Sequence, residues 1–110
     1  MIGYQAFQLA DLENRQAEGK PYLEFLRRPG VSLGLYALPA GGNDPQHPHN
    51  ADEVYVVLRG EANLAVENER HKVATGSVVS VDRGVDHRFV DISDDLLILV
   101  IFAPPESPGD

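Results

Sequence analysis

Two histidines two residues apart, a glutamate four residues further on and a glycine at each end mark the stretch GGNDPQHPHNADEVYVVLRG, residues 41–60. On an extended strand, residues i and i+2 point to the same face. His47 and His49 can therefore present two imidazoles to one point in space. Neutral imidazole and carboxylate are the usual protein ligands of divalent first-row metals. A third imidazole, His87, lies in a second glycine-punctuated stretch, GSVVSVDRGVDHRFVD, residues 76–91. Three histidines and one glutamate would bind such an ion and leave coordination positions for water or substrate.

The spacing resembles the two sequence motifs of the cupin superfamily. The first, G-x5-H-x-H-x3,4-E-x6-G, falls on Gly41, His47, His49, Glu53 and Gly60. The second, G-x5-P-x-G-x2-H-x3-N, falls on Gly76, Asp82, Gly84, His87 and Asp91, with aspartate in place of the proline and of the asparagine. Asp82 can still open a turn at Asp82-Arg83-Gly84. Asp91, if it points inward, adds a carboxylate near the metal. The resemblance implies an all-β chain forming one antiparallel double-stranded β-helix, a jelly-roll barrel, over residues 1–110. It further implies one divalent transition metal per chain (Fe, Mn, Zn, Ni or Cu), held by His47, His49, Glu53 and His87. This family hosts many chemistries on one site, so the likeness speaks to fold more than to reaction.

Composition narrows the partners. At 110 residues the chain is one domain with room for a real core. The longest apolar run, Leu96 to Ala103, falls far short of the ~20 residues that span a bilayer. The N-terminal MIGYQAFQLADLE lacks the basic and apolar regions of a secretory signal, so the expected compartment is the cytoplasm. Zero cysteines remove disulfides, thiolate ligands and a cysteine nucleophile. A net charge of −8 argues against nucleic acid and anionic membranes as partners.

Turn signals divide the rest into short strands. Asp11-Leu12-Glu13 starts a short helical turn within an N-terminal segment, residues 1–20, that ends by Gly19-Lys20-Pro21. Strands are expected at Tyr22–Arg27, Val31–Leu38, Glu53–Leu58, Ala62–Glu67, His71–Ala74, Val78–Val81, Arg88–Ile92 and Leu96–Phe102. Residues 104–110 read as a flexible tail. Val54–Leu58 and Leu96–Phe102 are apolar at both parities, whereas a strand with one wet face alternates. With Glu53 inward, Tyr55, Val57 and Arg59 face in and Val54, Val56 and Leu58 face out. The outer face needs a cover, either residues 1–20 or a second copy of the chain; family members often dimerise through such a sheet, which favours a homodimer.

His71 follows a polar hairpin, belongs to neither motif and reads as a surface residue. Gln46 and Asp91 are candidates to support the ligands, and Glu53 and Asp91 are the candidate bases. Tyr36 and Tyr55 read first as core or interface aromatics. With Gln46 and Arg59 they are also the candidate substrate contacts. Arg59, Arg83 and Arg88 read first as surface salt-bridge residues. The expected role is a metalloenzyme acting on a small organic substrate, by dioxygenase-like oxidative cleavage. A metal-dependent isomerase or lyase, a non-catalytic ligand-binding or sensing module, and a barrel merely pinned by its metal are the alternatives.

Overall fold

The computed structural model describes residues 3–16, 21–46 and 48–105. Along the chain run α1 (Leu9–Gln16), β1 (Tyr22–Arg28), β2 (Val31–Leu38), β3 (Asp52–Val66), β4 (Glu69–Ala74), β5 (Val78–Val81) and β6 (His87–Ala103). All strand pairs are antiparallel, in the order β1-β2-β6-β3-β4 with β5 on β3. This is the all-β jelly-roll architecture that the motifs imply. No helix among the described residues is long and apolar enough to cross a membrane.

The sequence reading splits β3 at Gly60 and β6 at residues 93–95. Each is instead one long strand, of 15 and 17 residues. The signals that read as breaks are bends. Pairing of β3 with β6 shifts register between Val57 and Arg59, again to Glu61, and again to Asn63. Extra residues of this kind kink a strand and raise its twist. Before the shifts, β3 pairs β5 and the end of β6; after them it pairs β4 and the start of β6. The two strands thereby run through both halves of the barrel, and its interior packs Tyr55, Val57, Leu64, Phe89, Leu96, Ile98 and Val100.

The shifts also correct one expectation. Arg59 does not face inward with Tyr55 and Val57. It is exposed and pairs with Glu13 of α1, because the extra residue after Val57 reverses the alternation that simple counting assumes.

Helix α1 supplies part of the expected cover. Leu12 is buried with Leu35 and Leu97, and Leu9, Phe25, Ala37 and Leu58 pack against them. Asp11 in the first turn and Arg15 in the last suit the helix dipole. Gln16 closes the contact, its side-chain amide donating to the Leu35 carbonyl at 2.9 Å. Residues 17–20 and 106–110, within the N-terminal segment and the tail, lie outside the described residues.

Candidate metal centre

Three backbone elements converge on one end of the interior. Glu53 is the second residue of β3, and His87 opens β6. His49 sits in the loop before β3. Its carbonyl accepts a 2.9 Å hydrogen bond from the Gly84 amide. Gly84 has φ +78, a left-handed conformation that suits glycine. Val85 N donates to Asp82 O at 3.2 Å, so Asp82-Arg83-Gly84 forms a turn without the motif's proline. That turn ties the loop carrying His49 to the segment carrying His87.

His49, Glu53 and His87 offer ligand atoms that all lie within 4.8 Å of one another. Atoms about 2.0–2.2 Å from one ion are at most about 4.4 Å apart, so a small adjustment completes a coordination sphere. Glu53 and His87 are each only 2% exposed. Glu53 Oε1 lies 2.6 Å from His87 Nε2, and Glu53 Oε2 is buried with no hydrogen-bond partner among the described residues. A buried carboxylate oxygen left without a donor is costly. A cation meets that demand, and the N,N,O donor set fits a divalent first-row metal. His47, the fourth expected ligand, lies outside the described residues.

His87 is oriented by its other nitrogen. Nδ1 is 2.7 Å from the Val85 carbonyl. Donating there leaves the Nε2 lone pair facing Glu53 and the Tyr55 hydroxyl, the latter at 2.9 Å. Without metal, burial works against the imidazolium. Hydrogen bonds to Glu53 and Val85, with the charges of Glu53 and Asp44, outweigh it and raise the His87 pKa above its ordinary value. Two opposite pH trends follow in the metal-free and metal-binding chains. A raised folded pKa contributes stability that is complete below the unfolded value near 6.5 and is lost as pH rises through the folded one. Metal needs the neutral ring and so binds less well as pH falls through the same value. Urea titrations of the chelated protein and metal-affinity measurements between pH 5.5 and 8.5 should therefore slope in opposite senses. Parallel slopes would contradict this role for His87.

Over the cluster lies a cavity of about 150 Å³. Its walls are Tyr22, Tyr36, Tyr55, Val100 and Phe102; Gln46, His49 and Glu53 give it a polar end. Gln46, Tyr36 and Tyr55, three of the candidate substrate contacts, all line it, whereas Arg59 does not. Burial, and then the hydrogen bond and charge of Asp44, raise the Tyr36 pKa. Burial and then Glu53 raise that of Tyr55. Both hydroxyls are therefore neutral donors at physiological pH.

Asp91 does not join the cluster. It is exposed, with φ +51, and its carboxylate accepts from Asn63 at 2.9 Å and Arg70 at 2.7 Å. The left-handed backbone at this residue breaks the even alternation of β6 and leaves the side chain on the outer surface. His71 is exposed, and Arg83 pairs with Asp52 on the surface.

Two residues escaped the sequence reading. Asp44, read there only as part of a chain break, is 5% exposed. Its carboxylate receives the Tyr36 hydroxyl, the Gln46 side-chain amide and, at 2.8 Å, the Phe89 amide. It thus pins the ligand loop to β2 and β6, and it fixes the Gln46 amide with the oxygen toward Tyr55 and His49, at 2.9 and 3.2 Å. Tyr22 reaches the cavity by lying across Gly34, where a Cβ would fall 2.5 Å from Tyr22 Cε1. A glycine inside a strand often marks such a close approach, and that was the available signal.

The sequence profile described as "Cupin domain" matches residues 34–102, and the chain belongs to the cupin family. An uncharacterized protein of Streptomyces coelicolor is 53% identical over 104 residues, covering 94% of this chain and 99% of its own. Among solved structures, TT1209 from Thermus thermophilus superposes with a TM-score of 0.78 at 26% identity, over 93% of this chain and 99% of that one. An RmlC-like cupin with a double-stranded β-helix fold from Methanocaldococcus jannaschii gives 0.75 at 26% identity, over 94% and 93%.

Proposed function

We propose that this cupin is a metalloenzyme that binds one divalent transition metal through His49, Glu53, His87 and His47 and acts on a small organic molecule in the cavity above them. The observation that carries the reading is the buried Glu53 carboxylate, grouped with two imidazoles and opening onto a mostly aromatic cavity. A metal bound there supplies Lewis acidity and holds substrate oxygens in place. The chain's own residues do the rest. Phe102, Val100 and the three tyrosine rings exclude water. The Tyr55 hydroxyl donates toward the ligand end, and Gln46 accepts from it. Glu53 is the nearest base for a proton leaving substrate.

Two reaction classes suit such a site, dioxygenase-like oxidative cleavage and proton transfer in an isomerase or lyase. The metal in protein purified from its own host without an affinity tag decides between them. Iron supports the dioxygenase; manganese or zinc supports the isomerase or lyase. Protein that carries no metal under these conditions would contradict the proposal.

We also propose a homodimer. Beyond the reach of α1, Val54, Val56, Leu99 and Ile101 continue the outer face half-buried, and Val78 is 67% exposed. Contiguous apolar surface of this kind commonly marks an interface. Val56→Glu should give monomers or insoluble protein, since a buried unpaired charge costs several kcal/mol. A monomeric unmodified chain at tens of micromolar in sedimentation would contradict the dimer.

A further inference from the structure

The cavity's chemistry selects its ligand by charge and by hydrogen bonding. Among the described residues no lysine or arginine lines it. Arg59, Arg70 and Arg83 pair with Glu13, Asp91 and Asp52 on the outer surface. The carboxylates of Glu53 and Asp44 are both buried beside it. A ligand carrying several negative charges would lose its hydration there and meet two carboxylates without a cationic side chain to offset them. Among the described residues, the metal-binding cluster is the one centre in the cavity able to accept an anionic group.

The hydrogen-bonding pattern is equally restrictive. Gln46 turns its oxygen to the site, because an N–H of its NH2 donates to Asp44. An amide oxygen accepts two hydrogen bonds. Tyr55 occupies one position at 2.9 Å, and His49 Nε2 stands at a looser 3.2 Å on the other. In this proposal His49 binds the metal through Nε2, and the second position then passes to whatever fills the cavity. The site thus offers an acceptor that calls for a donor, beside an apolar wall of Phe102 and Val100.

We propose that the cavity takes a small hydroxy compound, neutral or singly charged, whose hydroxyl donates to Gln46 Oε1 and whose apolar body rests on Phe102 and Val100. A short-chain hydroxy acid fits; phosphate esters and dicarboxylates do not. This rests on the metal reading above, and the test separates the two. The full chain is loaded with cobalt(II), and its visible bands are titrated with 2-hydroxyisobutyrate, isobutyrate, malate and inorganic phosphate. Hydroxyisobutyrate should shift the bands at roughly tenfold lower concentration than isobutyrate, since one hydrogen bond is worth about 1.4 kcal/mol or a factor of ten. Malate should bind more weakly than hydroxyisobutyrate because its second carboxylate meets Glu53 and Asp44. Phosphate should bind most weakly. A hydroxy acid chelates metal better than a plain acid in any setting, so the decisive quantity is the ratio between hydroxyisobutyrate and isobutyrate in Gln46→Leu. That ratio should fall about tenfold from its value in the unmodified chain.

Malate or phosphate binding as tightly as hydroxyisobutyrate would overturn the proposal. So would an unchanged ratio in Gln46→Leu, or cobalt bands indifferent to all four acids. In those cases the metal reading stands. Absence of cobalt bands from the unmodified chain would overturn the metal reading and this one with it.

Discussion

Replacing Glu53 by methionine should make the metal-free protein more stable and the metal-loaded protein less so. Glu53 is 2% exposed, and one of its oxygens has no hydrogen-bond partner among the described residues. A buried group left in that state costs about 1–3 kcal/mol. Methionine conserves the volume and removes the charge. His87 keeps the Tyr55 hydroxyl at 2.9 Å. In chelator at pH 8 the variant should therefore melt several degrees higher, the shift that about 1–3 kcal/mol produces in a domain of this size. With excess zinc the order should reverse. A ligand at a hundred times its Kd adds about 2.7 kcal/mol to the protein that binds it, and the variant has lost a ligand. Equal melting in chelator would show that the carboxylate carries no such cost in the barrel.

A single methyl group at Gly60 should cost about 3 kcal/mol or more, combining left-handed backbone strain with overpacking. Gly60 has φ +100, and a Cβ there would stand 2.9 Å from both Asp95 C and Leu96 Cα. Those are backbone atoms of β6, so no side chain can swing aside. The loss is a large part of the roughly 5–15 kcal/mol that holds a domain folded. Gly76 is the control. Its φ of +94 is similar, but a Cβ there meets nothing within 4 Å. Gly76→Ala should carry the conformational cost alone, about 1–2 kcal/mol. Denaturant titrations of both variants give the comparison, and equal losses would contradict the close approach of β3 to β6 at Gly60.

The motif spacing made the fold legible because each glycine and each ligand answers a local demand. Gly84 must turn left-handed, and Glu53 and His87 must begin strands that meet. What alternation alone could not reveal was where it breaks. Counting from Glu53 places Arg59 inside, and the register shift after Val57 puts it outside, on Glu13. Asp91 was expected at the cavity if its strand ran on evenly, and a left-handed residue at that position turned it to Arg70. Bulges are set by pairing between distant segments, which no local window contains. Asp44 was hidden for a related reason. An aspartate between asparagine and proline reads as a turn residue. Only the packing of β2 and β6 around it, bringing Tyr36 and the Phe89 amide, shows that it organises the ligand loop.

Metal content per chain shows directly whether His49, Glu53 and His87 form a metal centre. Protein prepared without metal-affinity steps, and its His49→Ala, His87→Ala double variant, are analysed for all first-row transition metals. About one ion per chain is expected in the unmodified protein and essentially none in the variant, since losing two of the ligands removes most of the affinity. Full metal content in the double variant would contradict it.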